Sequence, residues 1–94
     1  MVEYSVEVGR VVESKAGRDK GRLLIITGIV DEQYVTIADG DLRVLERPKK
    51  KKLKHLRLRP QILSSIAEKL ASGTKVFDAE LRSALRAIKD EENA

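Results

Sequence analysis

The feature that most constrains this chain is the run VGRVVESKAGRDKGRLLIITGIV, which occupies residues 8–30. Residues 8–14 and 22–30 are rich in β-branched and aliphatic side chains, and residues 15–21 between them hold two glycines and three cations. Glycine permits positive φ and close backbone approach, so the pattern predicts a strand, a glycine loop and a second strand. The loop fits both an anion-binding loop with exposed N–H groups and a plain hairpin loop with solvated charges.

Positive charge is concentrated in one short segment. Residues 48–59 carry seven lysines and arginines and no acid, whereas residues 1–47 have a net charge of −2 and residues 60–94 a net charge of −1. Because the segment lacks acids that would balance it, it favours a polyanionic partner. The guanidinium groups of Arg22, Arg47 and Arg57 can bind a phosphate or a guanine edge through paired hydrogen bonds, which lysines cannot do.

Short β-type runs separated by turns predict a small antiparallel β-barrel. Residues 23–26 are apolar without interruption, which predicts a central strand buried on both faces. Asp39-Gly40 predicts a hairpin turn into a further strand over residues 42–45. Residues 49–52 are expected to form an exposed loop, and the near-alternation of residues 54–59 predicts a last strand with a cationic outer face.

The C-terminal third of the chain has a helical pattern. Pro60 fits the first turn of a helix, and apolar side chains recur at helical spacing in residues 62–70 and 81–88. Gly73 is expected to end the first of the two helices. The chain is therefore expected to be mainly β with a C-terminal helical hairpin. The predicted units are residues 1–59 and residues 60–94.

The composition argues against several classes of function. With no cysteine and one histidine, neither a disulfide framework nor a zinc site is expected, and no cofactor is indicated. No nucleophile stands at a recognisable spacing from a base, and the glycine loop lacks the end of a Walker motif, so the chain is expected not to be an enzyme. No signal peptide or membrane span is predicted, nor a membrane-surface helix, and we expect a cytoplasmic protein.

Aromatic side chains are scarce, with two tyrosines and one phenylalanine. Single-strand readers stack bases on aromatic platforms, so an RNA partner is expected to be folded and recognised through phosphates and 2′-hydroxyls. Tyr34 either stacks on one base or, as the favoured interpretation, packs in or on the barrel. His55 is expected to contact a phosphate or sugar, or to be a surface residue that does neither.

The order of these motifs resembles a known family. Val8-Gly9-Arg10-Val11, Ala16-Gly17-Arg18 and Gly21-Arg22, followed by the apolar residues 23–26, look like a KOW motif, the hairpin element of a small SH3-like barrel in RNA-binding proteins. The lysines of residues 49–52 and the later Lys54-His55-Leu56 complete an order similar to the fourteenth family of archaeal and eukaryotic e-type large-subunit ribosomal proteins. The resemblance covers about half of the chain, and residues 60–94 have no counterpart in it.

The resemblance implies an SH3-like barrel that binds structured RNA, chiefly ribosomal RNA, as a ribosomal or ribosome-associated protein of translation. Because residues 60–94 have no counterpart, a constitutive subunit and an accessory factor both stay open. With Arg47 added for its charge, the candidate RNA-binding residues are Lys15, Arg18, Lys20, Arg22, Arg47, Lys49, Lys50, Lys51, Lys52, Lys54, His55 and Arg57.

The alternative is a KOW-type protein-interaction module of a transcription or translation factor. It would dock through the apolar faces of the C-terminal helices, and its lysines would meet an acidic partner. DNA binding is a third interpretation.

Overall fold

The computed structural model describes residues 4–93, and residues 1–3 and 94, the outer ends of the two predicted units, lie outside the described residues. The elements in chain order are β1 (Arg10–Ser14), β2 (Leu23–Ile29), β3 (Tyr34–Ala38), β4 (Lys49–Lys52), a 3-10 turn (Leu53–His55), β5 (Leu56–Ile62), α1 (Ser64–Ser72) and α2 (Asp78–Glu92). The five strands form one antiparallel sheet in the order β4-β3-β2-β1-β5. The predicted combination of a small antiparallel β-structure followed by two helices is confirmed at this level.

The two edge strands of the sheet are neighbours in the chain. Only the 3-10 turn Leu53–His55 joins β4 to β5, although these strands lie at opposite edges. The edges of a flat five-stranded sheet would lie about 19 Å apart, whereas a three-residue 3-10 turn rises only about 6 Å. The sheet is therefore strongly curled, although within residues 4–93 no hydrogen-bonded ladder between β4 and β5 closes it.

Both faces of the sheet are buried. Successive side chains of a strand point to opposite faces, so Val11 and Ile25 lie in a cluster shared with the helices, whereas Val12, Leu24 and Ile26 lie in a second cluster on the other face. The helices contribute these buried residues to the first cluster: Ile66, Leu81, Leu85 and Ile88. The predicted two-sided burial of the second strand is confirmed, and the contact with the sheet stabilises helices too short to be stable alone.

Residues 42–45 do not form the predicted strand. The side chain of Asp39 is buried, and its Oδ1 accepts a hydrogen bond from the N–H of Arg43 at 2.9 Å. The N–H of Leu45 donates to Oδ1 of Asp78, the first residue of α2, at 2.8 Å. These carboxylates take backbone donors that a strand ladder would need, so the segment becomes an anchored loop.

Pro60 lies within β5, so the predicted helix start at this residue is wrong, and α1 begins at Ser64. Within residues 4–93, β5 is an edge strand that pairs only with β1, and the register between them shifts between Arg10 and Val12. Edges and bulges are the places where a sheet tolerates proline, because no ladder donor is needed there. The buried Arg10 donates from Nη1 to the carbonyl oxygens of Arg59 and Pro60, each at 3.1 Å.

The first helix ends as predicted. Gly73 has a φ of +76° at the C-cap of α1, and the N–H of Thr74 donates to the carbonyl of Lys69 at 2.9 Å. A left-handed C-cap with this backward hydrogen bond satisfies carbonyls at the helix end. Among the described residues 4–93, no helix has the length and apolarity needed to cross a membrane.

Candidate nucleic-acid interface

The four consecutive lysines form a strand and not the predicted exposed loop. β4 pairs with β3 in a register that sets Lys50 opposite Thr36 and Lys52 opposite Tyr34. Residues directly opposite each other share one face of a sheet. Lys50 Nζ lies 4.7 Å, and Lys52 Nζ 5.7 Å, from the centre of the Tyr34 ring. Tyr34 is thus a partly exposed ring flanked by two ammonium groups, a cation–π arrangement.

The other lysines of β4 lie on the opposite side of the strand. Lys51 pairs with Val35, and its Nζ donates to the carbonyl oxygen of Ala16, in the loop between β1 and β2, at 3.4 Å. In the same region the N–H of Lys15 donates to the carbonyl oxygen of His55 at 2.9 Å. The first loop, the lysine strand and the 3-10 turn therefore meet at one place.

We call the charged groups at this junction the basic cluster. They come from the first loop, from β4 and from the 3-10 turn: Lys15, Lys51, Lys52, Lys54 and His55. The pKa of His55 lies below its ordinary value of 6.5, because desolvation and then the charges of the cluster's lysines disfavour the imidazolium. The lowered pKa of His55 is thus in part a consequence of the short distances between its ring and these lysines.

The loop of residues 15–22 is closed by its own backbone. The N–H of Gly21 donates to the carbonyl of Ser14, and the N–H of Arg22 donates to the carbonyl of Asp19, each at 2.8 Å. The N–H of Lys20 also donates within the loop, to the carbonyl of Gly17 at 3.3 Å. These three N–H groups are occupied and are not free to bind an anion, whereas the cationic side chains of the loop remain available.

Arg22 is partly committed to internal ion pairs. Its Nη1 lies 3.0 Å from Oδ2 of the buried Asp39 and 3.5 Å from Oδ2 of Asp41. Arg47 and Arg57 are exposed, and within residues 4–93 the side chain of neither forms an ion pair. Of these three predicted RNA-binding arginines, Arg22 is thus paired internally, and Arg47 and Arg57 are exposed.

Arg18 and Lys20 belong to a groove on the other side of the first loop. The groove has a volume of about 630 Å³, and its opposite wall is α2, with the side chains of Arg82, Arg86 and Lys89. The apolar stripe of α2 does not by itself predict a role for these three cations. Their spacing at i, i+4 and i+7 was the available signal, since it places them on one helix face.

Comparison with known proteins adds no assignment. No protein-family model matches this chain, and no curated protein matches it. The assignment of this interface therefore rests on the geometry and charge of the chain's own residues. The resemblance to KOW-containing proteins stays a prediction.

Proposed function

We propose that this protein binds structured RNA without catalysing a reaction, and that its partner is ribosomal RNA, in a ribosomal or ribosome-associated role. The observation that carries the proposal is the convergence of the first loop, β4 and the 3-10 turn on the basic cluster. The charges come from separate elements that the fold brings together, with Lys51 and Lys52 on opposite faces of β4, so they surround the end of this strand and are not a solvated tail. A surface of this kind gains its affinity mainly from contacts with phosphates, and reading of the base sequence contributes less.

The shape of the sheet supports the finer part of the proposal. We propose that the curled sheet is an SH3-like barrel of KOW type, with the β1–loop–β2 hairpin as its KOW element. The short connection between the two edge strands favours near-closure of the sheet. In this arrangement the glycine loop stands beside Lys51 of β4, where both can reach one RNA backbone.

The contacts of the helices disfavour the protein-interaction alternative. Leu81, Leu85 and Ile88 of α2 pack in the same cluster as Val11 and Ile25 of the sheet. Docking of a partner through this apolar face would require the helix to leave the sheet. The basic cluster, in contrast, is available without rearrangement.

The experiment that tests the proposal measures binding to large-subunit ribosomal RNA and to ribosomal particles at several salt concentrations. The variant is Lys52→Gln/Lys54→Gln in the basic cluster. The matched control is Lys69→Gln/Lys75→Gln, which removes the same charge outside the cluster. A DNA duplex of equal length tests the DNA interpretation.

We expect wild type and control to bind RNA alike and to co-sediment with particles at low salt. The cluster variant should lose affinity, and the slope of log affinity against log salt should fall by about 1.4–1.8, because two phosphate contacts are lost. Equal binding by variant and control would contradict the assigned surface. Absence of RNA binding by wild type at low salt would overturn the proposed function.

A further inference from the structure

The groove between the first loop and α2 is lined by more positive than negative charge. Its cations come from both walls: Arg18, Lys20, Arg22, Arg82, Arg86 and Lys89. Its three acids are Asp19, Asp39 and Asp41. The excess is a property of the folded chain, because residues 60–94 as a segment carry a net charge of −1.

Each acid of the groove lies in an ion pair with an arginine. Asp19 is buried and lies 3.1 Å from Nε of Arg43, which is outside the groove lining. Asp39 lies 3.0 Å from Nη1 of Arg22 and Asp41 lies 3.5 Å from the same atom. The two guanidinium groups of Arg22 and Arg43 thus face three carboxylates, which leaves one negative charge. The groove has five further cations, so a net positive charge is left for a ligand.

Three of the remaining cations are arranged along one face of α2. Arg82, Arg86 and Lys89 span about 10 Å along the axis of α2 at 1.5 Å per residue, which covers several successive phosphates of a nucleic-acid strand. Arg82 is held in place because its Nη1 donates to the carbonyl oxygen of Gly40 at 2.7 Å. Arg86 and Lys89 are exposed, and within residues 4–93 neither has an ion-pair partner.

We propose that this groove binds a second stretch of RNA backbone, contiguous with the stretch on the basic cluster. The inference rests on the proposed function and extends it to α2. The first loop links the two surfaces, because its residue Ala16 contacts Lys51 of the basic cluster while Arg18 and Lys20 line the groove. One folded RNA therefore contacts both sides of this loop, with arginine guanidinium groups paired to phosphate oxygens in the groove.

The first test compares three double variants with equal loss of charge, on large-subunit ribosomal RNA. They are Arg86→Gln/Lys89→Gln in the groove, Lys52→Gln/Lys54→Gln in the basic cluster and Lys69→Gln/Lys75→Gln as control. Glutamine is a good helix former, so α2 is kept. We expect the groove variant to lower the salt slope by about 1.4–1.8 relative to the control.

The second test locates the RNA directly. The chain has no cysteine, so Ser83→Cys, at an exposed position of the groove lining, provides a single site for an iron chelate that cleaves nearby RNA. The control is Ala71→Cys, exposed on α1 and outside the groove lining. We expect RNA cleavage from position 83 next to the nucleotides that the basic cluster protects, and none there from position 71.

Failure of this inference and failure of the proposed function give different results. If the cluster variant loses affinity while the groove variant matches the control and position 83 yields no cleavage, the groove proposal is overturned and the proposed function stands. If wild-type protein does not bind RNA, the proposed function falls and the groove proposal falls with it.

Discussion

His55 reports on the charges around it more directly than any other residue. It is the only histidine of the chain. Lys54 lies next to it in the 3-10 turn, Lys51 and Lys52 reach it from β4, and Lys15 reaches it from the first loop. Desolvation and these four positive charges lower its pKa, so the imidazole is mostly neutral at neutral pH.

The pKa of His55 is expected to rise when the cluster is neutralised. NMR titration of its ring should give a value below 6.5 in wild type, a higher value in Lys51→Gln and an unchanged one in Lys20→Gln, because Lys20 is not among the charges that lower it. Bound RNA should raise the pKa further, since phosphates favour the imidazolium. Affinity should therefore increase as pH falls through the pKa of the RNA-bound state towards the lower pKa of the free protein, and His55→Gln should abolish the increase.

The lowered pKa of His55 also determines whether its contribution to the free energy of unfolding rises or falls with pH. Because the folded-state pKa lies below the unfolded one, the unfolded chain takes up the proton first as pH falls. The contribution of His55 to the free energy of unfolding is constant above the unfolded pKa. It decreases as pH falls through 6.5 to the folded value. An NMR value at or above 6.5 in the free protein would contradict both statements.

At the scale of the element, the lysines of β4 have two roles: they protect an edge of the sheet and they contribute to the basic cluster. In the part of the chain that the structure describes, β4 is an edge strand with no sheet partner on its outer side. Charged side chains, lysine above all, keep such edges from pairing with other chains. A strand of four lysines therefore suits the edge of the sheet, because its charges protect the exposed backbone groups from pairing with other chains. The same charges supply part of the basic cluster.

Replacing all four lysines of β4 by threonine is expected to cause self-association, because threonine favours strands and leaves the edge uncharged. The matched control replaces them by glutamate, which keeps the edge charged while it reverses the sign. Sedimentation equilibrium over a range of protein concentrations should show oligomers for the threonine variant and monomers for the glutamate variant. Monomers in both cases would show that charge does not protect this edge.

At the scale of the whole molecule, the helices and the sheet share one core. The first cluster joins Val11, Ile25 and Ala38 of the sheet to the buried residues of α1 and α2. β5 also continues to Ile62, across the predicted boundary between the two units. Deletion of residues 60–94 would cut this strand and uncover one face of the sheet, so point substitutions are the better test of the helices.

Leu81→Ala is expected to lower the free energy of unfolding by about 2–5 kcal/mol, because Leu81 is fully buried in the shared cluster. The control Leu42→Ala, at an exposed position, should change it by less than about 0.5 kcal/mol. Thermal unfolding followed by helix circular dichroism and by tyrosine fluorescence, with Tyr34 on the sheet, should give one coincident transition in both variants. Two separate transitions would show that the helices unfold as an independent unit.

The sequence by itself determined the features that depend on near neighbours. Uninterrupted apolar residues in β2 placed side chains on both faces of the sheet, and Gly73 ended α1 because glycine readily adopts positive φ. The segregation of charge into residues 48–59 was equally visible. Such features follow from side-chain alternation, backbone freedom and composition, which no distant segment changes.

Only the tertiary structure decided the features that depend on distant partners. Residues 42–45 form a loop because the side chain of Asp78, 33 positions after Leu45, accepts a hydrogen bond from the N–H of Leu45. Pro60 fits a strand because the register of β1 shifts beside it. The lysines of residues 49–52 become a strand because β3 offers a ladder. The groove arises because packing of the apolar face of α2 on the sheet leaves its cations beside the first loop. In each case the deciding partner is far away in the sequence, so local pattern could not identify it.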